Sequence, residues 1–184
     1  MDWWESAIIG VVSGVVSSSI FFVVMSCIKP RIKVSKLICR SVENSKVIYR
    51  IKVVNLTRAM LTHLQYSLFF YEDDGKMVSN VFKISPAKEM LTHIDAYKGN
   101  ENYSDYAIRI TYEFDEDKFP LNERTKLVFT IFAQHTFSNS VACVKRVYSS
   151  QNVEMGKFET GKSTKIIGWR KETIRSLFFY VKNI

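Results

Sequence analysis

The sequence predicts a membrane-anchored all-β protein, one N-terminal transmembrane helix followed by an antiparallel β-sandwich. Two observations predict it. Ala7 to Ile28 contains no Asp, Glu, Lys, Arg or His, and at ~1.5 Å per residue it reaches roughly 33 Å, against a hydrocarbon core of about 30 Å. From Lys29 onward the apolar period becomes two, in short runs separated by Asn, Asp, Ser and Gly, which is the pattern of many antiparallel strands. Three segments follow: 1–28 is the helix, 29–167 the β-domain, and 168–184 a basic aromatic tail.

The helix reads as a retained anchor. Met1-Asp2-Trp3-Trp4-Glu5 is acidic and aromatic, and Ile28-Lys29-Pro30-Arg31 lacks a small-residue cleavage site, so a signal peptide fits poorly. Asp2 and Glu5 precede the segment, while Lys29, Arg31, Lys33, Lys36 and Arg40 follow it. The positive-inside bias then places the N-terminus outside and the β-domain in the cytosol. Trp3 and Trp4 suit an outer interfacial belt. The odd count of three cysteines, Cys27, Cys39 and Cys143, with no C-x-x-C spacing, suits reduced thiols.

At about 100° per residue, Ser6, Gly10, Ser13, Gly14, Ser17 and Ser18 gather on one arc, which turns large and apolar at Phe21, Val24, Met25 and Ile28. Gly10 and Gly14 form a G-x-x-x-G pair, which lets helices approach closely in lipid. Copies around a common axis would make a serine-lined path narrowing to a hydrophobic constriction at Phe21, of the kind that gates by dewetting. The same arc also reads as a dimer contact, or as serines that are merely tolerated.

Strands are expected at Arg31 to Val34 and Tyr49 to Val53, with Ile32, Val34, Tyr49, Ile51 and Val53 inward, the basic side chains outward, and a turn over Ser41 to Lys46. Leu64 to Tyr71, Val78 to Ile84, Met90 to Ile94 and Tyr106 to Tyr112 follow, with a turn at Glu72-Asp73-Asp74-Gly75. The acidic stretch Phe114 to Pro120 reads as a loop or a single helical turn, with Asp115, Glu116 and Asp117 solvated. Lys126 to Phe137 is the strongest strand and therefore central; Ser138-Asn139-Ser140 turns it into Val141 to Tyr148. Asn152 to Phe158 and Ser163 to Ile167 finish the set.

Lys29-Pro30-Arg31 directly after a membrane helix, then Tyr49-Arg50-Ile51-Lys52-Val53-Val54-Asn55, Leu127 to Phe137, and Tyr148 followed by Val153-Glu154-Met155-Gly156-Lys157-Phe158 together resemble the cytosolic immunoglobulin-like domain of inward-rectifier potassium channels. The resemblance implies an immunoglobulin-like sandwich, a tetrameric cytosolic ring beneath a pore, and a basic-Pro-basic linker, here Lys29, Pro30 and Arg31, that meets anionic lipid. The chain departs from that family in having one membrane helix and no T-x-G-Y-G selectivity loop, so potassium selectivity does not carry over. A single helix on a cytosolic β-domain is similar in architecture to small membrane effectors of bacterial anti-phage systems, of the cyclic-oligonucleotide and Hailong types. That likeness implies a homo-oligomer in the bacterial inner membrane, controlled by a nucleotide or oligonucleotide.

The net charge of +8 over 184 residues favours anionic partners, membrane lipid included. Lys29, Arg31, Lys33 and Lys36 are the expected ligand-binding group, and in symmetric copies they would ring an axis and attract phosphates. Lys46, Arg50 and Lys52 form a second candidate patch with Lys145 and Arg146. Catalysis is not expected: His63, His93 and His135 lack metal-ligand spacing, no nucleophile motif or Gly-rich phosphate loop occurs, and no cofactor is called for. His135 reads as a packed or turn-adjacent histidine. In the tail, Trp169, Arg170, Lys171, Arg175 and Lys182 alternate with Ile174, Leu177, Phe178 and Val181, as an interfacial helix or a last edge element would. The expected protein is a homo-oligomeric, ligand-gated channel-like effector; the alternative is a non-conducting anchored module that recruits a protein or nucleic acid.

Overall fold

A computed structural model of the chain describes residues 3–43, 46–73, 78–87, 91–98, 105–116 and 118–168. The tail expected over 168–184 lies, beyond Gly168, outside them. Helix α1 (Trp3–Cys27) carries no charge after Glu5 and is long and apolar enough to cross a membrane; none of its residues is buried within the chain. Three of its serines bond back to their own backbone, Ser13 to the carbonyl of Gly10 at 3.0 Å, Ser19 to Val15 and Ser26 to Phe22, both at 2.8 Å. Such back-bonding keeps a hydroxyl satisfied where no water reaches it.

The other described residues are mostly β-structure, with one 3-10 turn at Ser150–Asn152: β1 (Ile32–Val34), β2 (Ile38–Glu43), β3 (Lys46–Asn55), β4 (Leu61–Asp73), β5 (Val78–Ile84), β6 (His93–Ile94), β7 (Ala107–Phe114), β8 (Thr125–His135), β9 (Val141–Tyr148), β10 (Val153–Met155), β11 (Lys157–Phe158) and β12 (Ile166–Ile167). In the first sheet β3 is central, with β7 along one edge and β1 and β2 in succession along the other; β10 extends the sheet beyond β2. In the second, β4 lies between β8 and the pair β5 and β6, and β9 closes the far edge of β8. β11 and β12 form a separate two-stranded ribbon.

Alternation builds the core. On β8, Leu127, Phe129, Ile131, Ala133 and His135 point inward, and on the first sheet Tyr49, Ile51, Val53, Ile110 and Tyr112 do the same, so both sheets meet in one buried cluster. β8 is central, as its apolar run predicts. The boundaries of β5 and β9 match the expected strands.

Four expectations need correction. Ser41 begins no turn; it lies inside β2, whose buried Ile38, Cys39 and Ser41 are interrupted by Arg40. The sheets are not wholly antiparallel, because β10 runs parallel to β2 through Val153↔Ile38 and Met155↔Arg40. The run Asn152 to Phe158 breaks at Gly156, whose φ of +152° suits glycine and where an added Cβ would stand 2.3 Å from the Ile167 carbonyl oxygen. Glu116 is no free loop carboxylate: it takes both Nε and Nη2 of Arg40 at 2.8 Å and the Tyr49 hydroxyl at 2.7 Å, which ties it to the first sheet.

Candidate functional site

Ile51 to Asn55 of β3 is buried on both faces, and the charged Lys52 is buried with it at 1 % exposure. An outward lysine was expected there. Its burial follows from the segment after β11, which folds over the outside of the sheet, turning at Gly161 with φ +66°. The Lys52 ammonium donates to the carbonyls of Glu159 at 2.5 Å and Ser163 at 2.6 Å, while the Ser163 hydroxyl bonds the Glu159 carboxylate.

Register brings further cations to this face. Lys52 stands directly opposite Arg109 of β7, and Val54, two residues on and so on the same face, stands opposite Lys33 of β1. Lys33, Lys52 and Arg109 therefore share one outer face, beside a cleft of about 770 Å³ lined by Lys33, Arg109, Lys157, Phe158, Lys162 and the covering segment. Arg109 reaches the Phe158 carbonyl at 3.4 Å. Burial pushes the Lys52 ammonium down to about 8, Arg109 and Lys33 push the same way, and Glu159 partly opposes them. Positive charge thus exceeds negative in a half-enclosed space, the electrostatic condition for holding an anion.

Of the four predicted ligand residues, the structure brings Lys33 to this cleft. Lys29, Arg31 and Lys36 are exposed and lie outside its lining. The second candidate patch is not formed: Lys46 pairs with Glu113 at 2.8 Å, Arg50 with Glu43 at 2.6 Å, Lys52 is buried, and Lys145 and Arg146 stand on β9 of the other sheet. In the sequence Arg109, Lys157 and Lys162 each read as an ordinary surface cation. The available signal is Lys52 itself, a lysine that interrupts the apolar stretch Ile51 to Val54.

The predicted helix residues Gly10, Ser13, Gly14, Ser17, Ser18 and Phe21 are all exposed, and space is open around both glycines. The helix end is fastened to the β-domain. Ile28 donates back to the Met25 carbonyl at 3.2 Å, and its own carbonyl accepts the hydroxyls of Ser138 at 2.7 Å and Ser140 at 2.6 Å. Pro30 is buried, the Arg31 amide donates to the Thr57 hydroxyl, and the Arg31 carbonyl accepts from Leu56, both at 2.8 Å. Side-chain hydroxyls here cap a carbonyl that the helix cannot satisfy itself. His135 is buried beneath the same turn and takes the Ser138 amide at Nδ1 at 3.2 Å, as a turn-adjacent histidine would.

No family model and no curated protein matches this chain.

Proposed function

We propose that the chain is a homo-oligomeric, single-pass protein of a bacterial inner membrane, a channel-like effector of anti-phage defence with its N-terminus outside. Four copies surround an axis through the Gly10, Ser13, Gly14, Ser17, Ser18 and Phe21 arc, and the cytosolic immunoglobulin-like sandwich binds a phosphate-bearing ligand, a nucleotide or oligonucleotide. The observation that carries the reading is an apolar helix of 25 residues with none buried in its own chain. Lipid and further copies are what such a surface is built to meet. The excess of cations around Lys33, Lys52 and Arg109 supports the anionic ligand, and the bonds from Ser138 and Ser140 to Ile28 support transmission from domain to helix.

A second reading, a non-conducting anchored module that recruits a protein or nucleic acid, is favoured by one observation: the Ser13 hydroxyl is already bonded to Gly10 and does not need a water-filled lumen. Replacing Gly10 and Gly14 together by Leu separates the two. Loss of ion flux from reconstituted vesicles, with nucleotide binding intact, supports the pore; a native chain that binds nucleotides and passes no ions leaves the anchored module.

A further inference from the structure

Three segments, 28–31, 56–60 and 136–140, converge at the end of α1. Ser138 and Ser140 cap Ile28, Leu56 and Thr57 bond Arg31, and the Met60 carbonyl takes both the amide and the hydroxyl of Thr136. The turn between β8 and β9 is closed tightly, with Asn139 at φ +54° donating to the His135 carbonyl at 3.0 Å. That geometry leaves Phe137 at its apex 71 % exposed, although the next residue holds the carbonyl of Ile28. A phenylalanine this exposed is a poor choice for a turn tip in water and a good one at a membrane surface. Around it Ile28, Leu56 and Met60 are also exposed. Lys29, Arg31 and Arg58 are exposed in the same three segments, which contain no Asp or Glu.

We propose that the β8–β9 turn is a second membrane contact: Phe137 enters the boundary between headgroups and acyl chains beside its own helix, and Lys29, Arg31 and Arg58 lie against anionic headgroups. The occupant is the leaflet because the turn is bonded to the first residue beyond the helix, and a helix that spans the bilayer ends at that depth. This rests on the membrane-spanning reading above. The cations match the negative surface of a cytosolic leaflet, and the two-point contact, helix plus turn, fixes how the β-domain stands on the membrane. The domain then cannot rotate without moving the helix end.

The test is a benzoylphenylalanine photo-crosslinker placed at one position at a time in the full chain, Phe137, Val12 or Phe132. The chain is reconstituted in vesicles of about three parts phosphatidylcholine to one part phosphatidylglycerol, an anionic surface. Phe132 is the control, exposed on the outer face of β8. Expected are lipid adducts from 12 and 137 and none from 132, with the 137 yield falling when phosphatidylglycerol is omitted. Lipid adducts from 12 but only protein adducts, or none, from 137 would overturn the proposal and leave the spanning helix standing. Equal lipid labelling from 132 and 137 would overturn it as well, and a 137 yield indifferent to phosphatidylglycerol would remove the role of the three cations. Absence of lipid adducts from both 12 and 137 would sink the membrane-spanning reading itself.

Discussion

The Ser140 hydroxyl donates to the Ile28 carbonyl at 2.6 Å, joining residues 112 positions apart, and Ser138 donates to the same oxygen at 2.7 Å. Two hydroxyls on one carbonyl at the exit of α1 make the β8–β9 turn the fastening point between helix and domain. Replacing both serines by Ala should leave the core untouched and cost about 1–2 kcal/mol, two neutral hydrogen bonds at a partly exposed site. Hydrogen exchange at the amides of Ile28, Lys29 and Arg31 should speed up while the β8 amides keep their protection; equal rates in native and variant chains would show that the contact does not hold the helix end.

The turn should also respond to acid. Burial holds the His135 imidazole below its ordinary 6.5, and Nδ1 accepts the Ser138 amide, so the ring is neutral when the turn is formed. The folded state binds fewer protons at His135 than the unfolded one. Its contribution is therefore fully present above about 6.5 and is lost as pH falls below that value. Comparing denaturation midpoints at neutral pH and near pH 5, a His135→Phe variant should show a shallower loss than the native chain. Parallel pH profiles would exclude this histidine as the source.

Ligand binding at the cleft should take up a proton. Lys52 titrates near 8 because burial and the neighbouring Arg109 and Lys33 disfavour its charge. A bound phosphate reverses that imbalance, raises the ammonium's affinity for its proton, and so binds more tightly as pH falls from about 9 to about 7. Calorimetry with a nucleotide at pH 8, repeated in buffers of different ionisation heat, should give a buffer-dependent enthalpy that disappears in Lys52→Met. Arg109→Glu should abolish binding. Identical heats in every buffer would contradict the assignment.

Gly156 separates β10 from β11, and its replacement by Ala forces a Cβ to 2.3 Å from the Ile167 oxygen at a positive φ. The expected loss is about 2–3 kcal/mol, in the range for strain and overpacking. The damage should centre on the ribbon of β11 and β12 and on the cover over Lys52. Unchanged thermal stability of the variant would mean that the backbone relaxes freely there.

Glu116→Gln should cost roughly 1–2 kcal/mol, a modest value because the pair with Arg40 is partly exposed to screening solvent. Arg40, first through its hydrogen bonds and helped by Tyr49, holds the Glu116 carboxyl below its usual range. Its contribution is present above the unfolded carboxylate pKa and lost as pH falls through the folded value. Denaturation above and below pH 4 should therefore separate native and variant chains at the higher pH and bring them together at the lower.

Local pattern carried the strands and their faces: β5 and β9 fall where expected, and β8 has the central position its apolar run implies. What the pattern could not express is pairing at a distance. The parallel match of β10 with β2 joins residues more than a hundred positions apart, and neither strand alone encodes it. Lys52 shows the same limit within one residue. Alternation along β3 correctly turns it away from Ile51 and Val53, yet the segment from Glu159 to Ser163 covers that side, and nothing near Lys52 in sequence announces the cover. Of the candidate ligand residues, Lys33 reached the cleft because β1 alternates; Arg109 joined it through the register of β7 with β3.

The most direct test of the regulated pore is inner-membrane potential in bacteria expressing a Phe21→Ser variant, which replaces the ring at the proposed constriction by a hydroxyl and so opens a hydrophobic gate without its ligand. The native chain should leave the potential intact until triggered, Phe21→Ser should collapse it, and adding Gly14→Leu to that variant should restore it. A Phe21→Ser chain that reaches the inner membrane in native amounts and leaves the potential unchanged would contradict the pore.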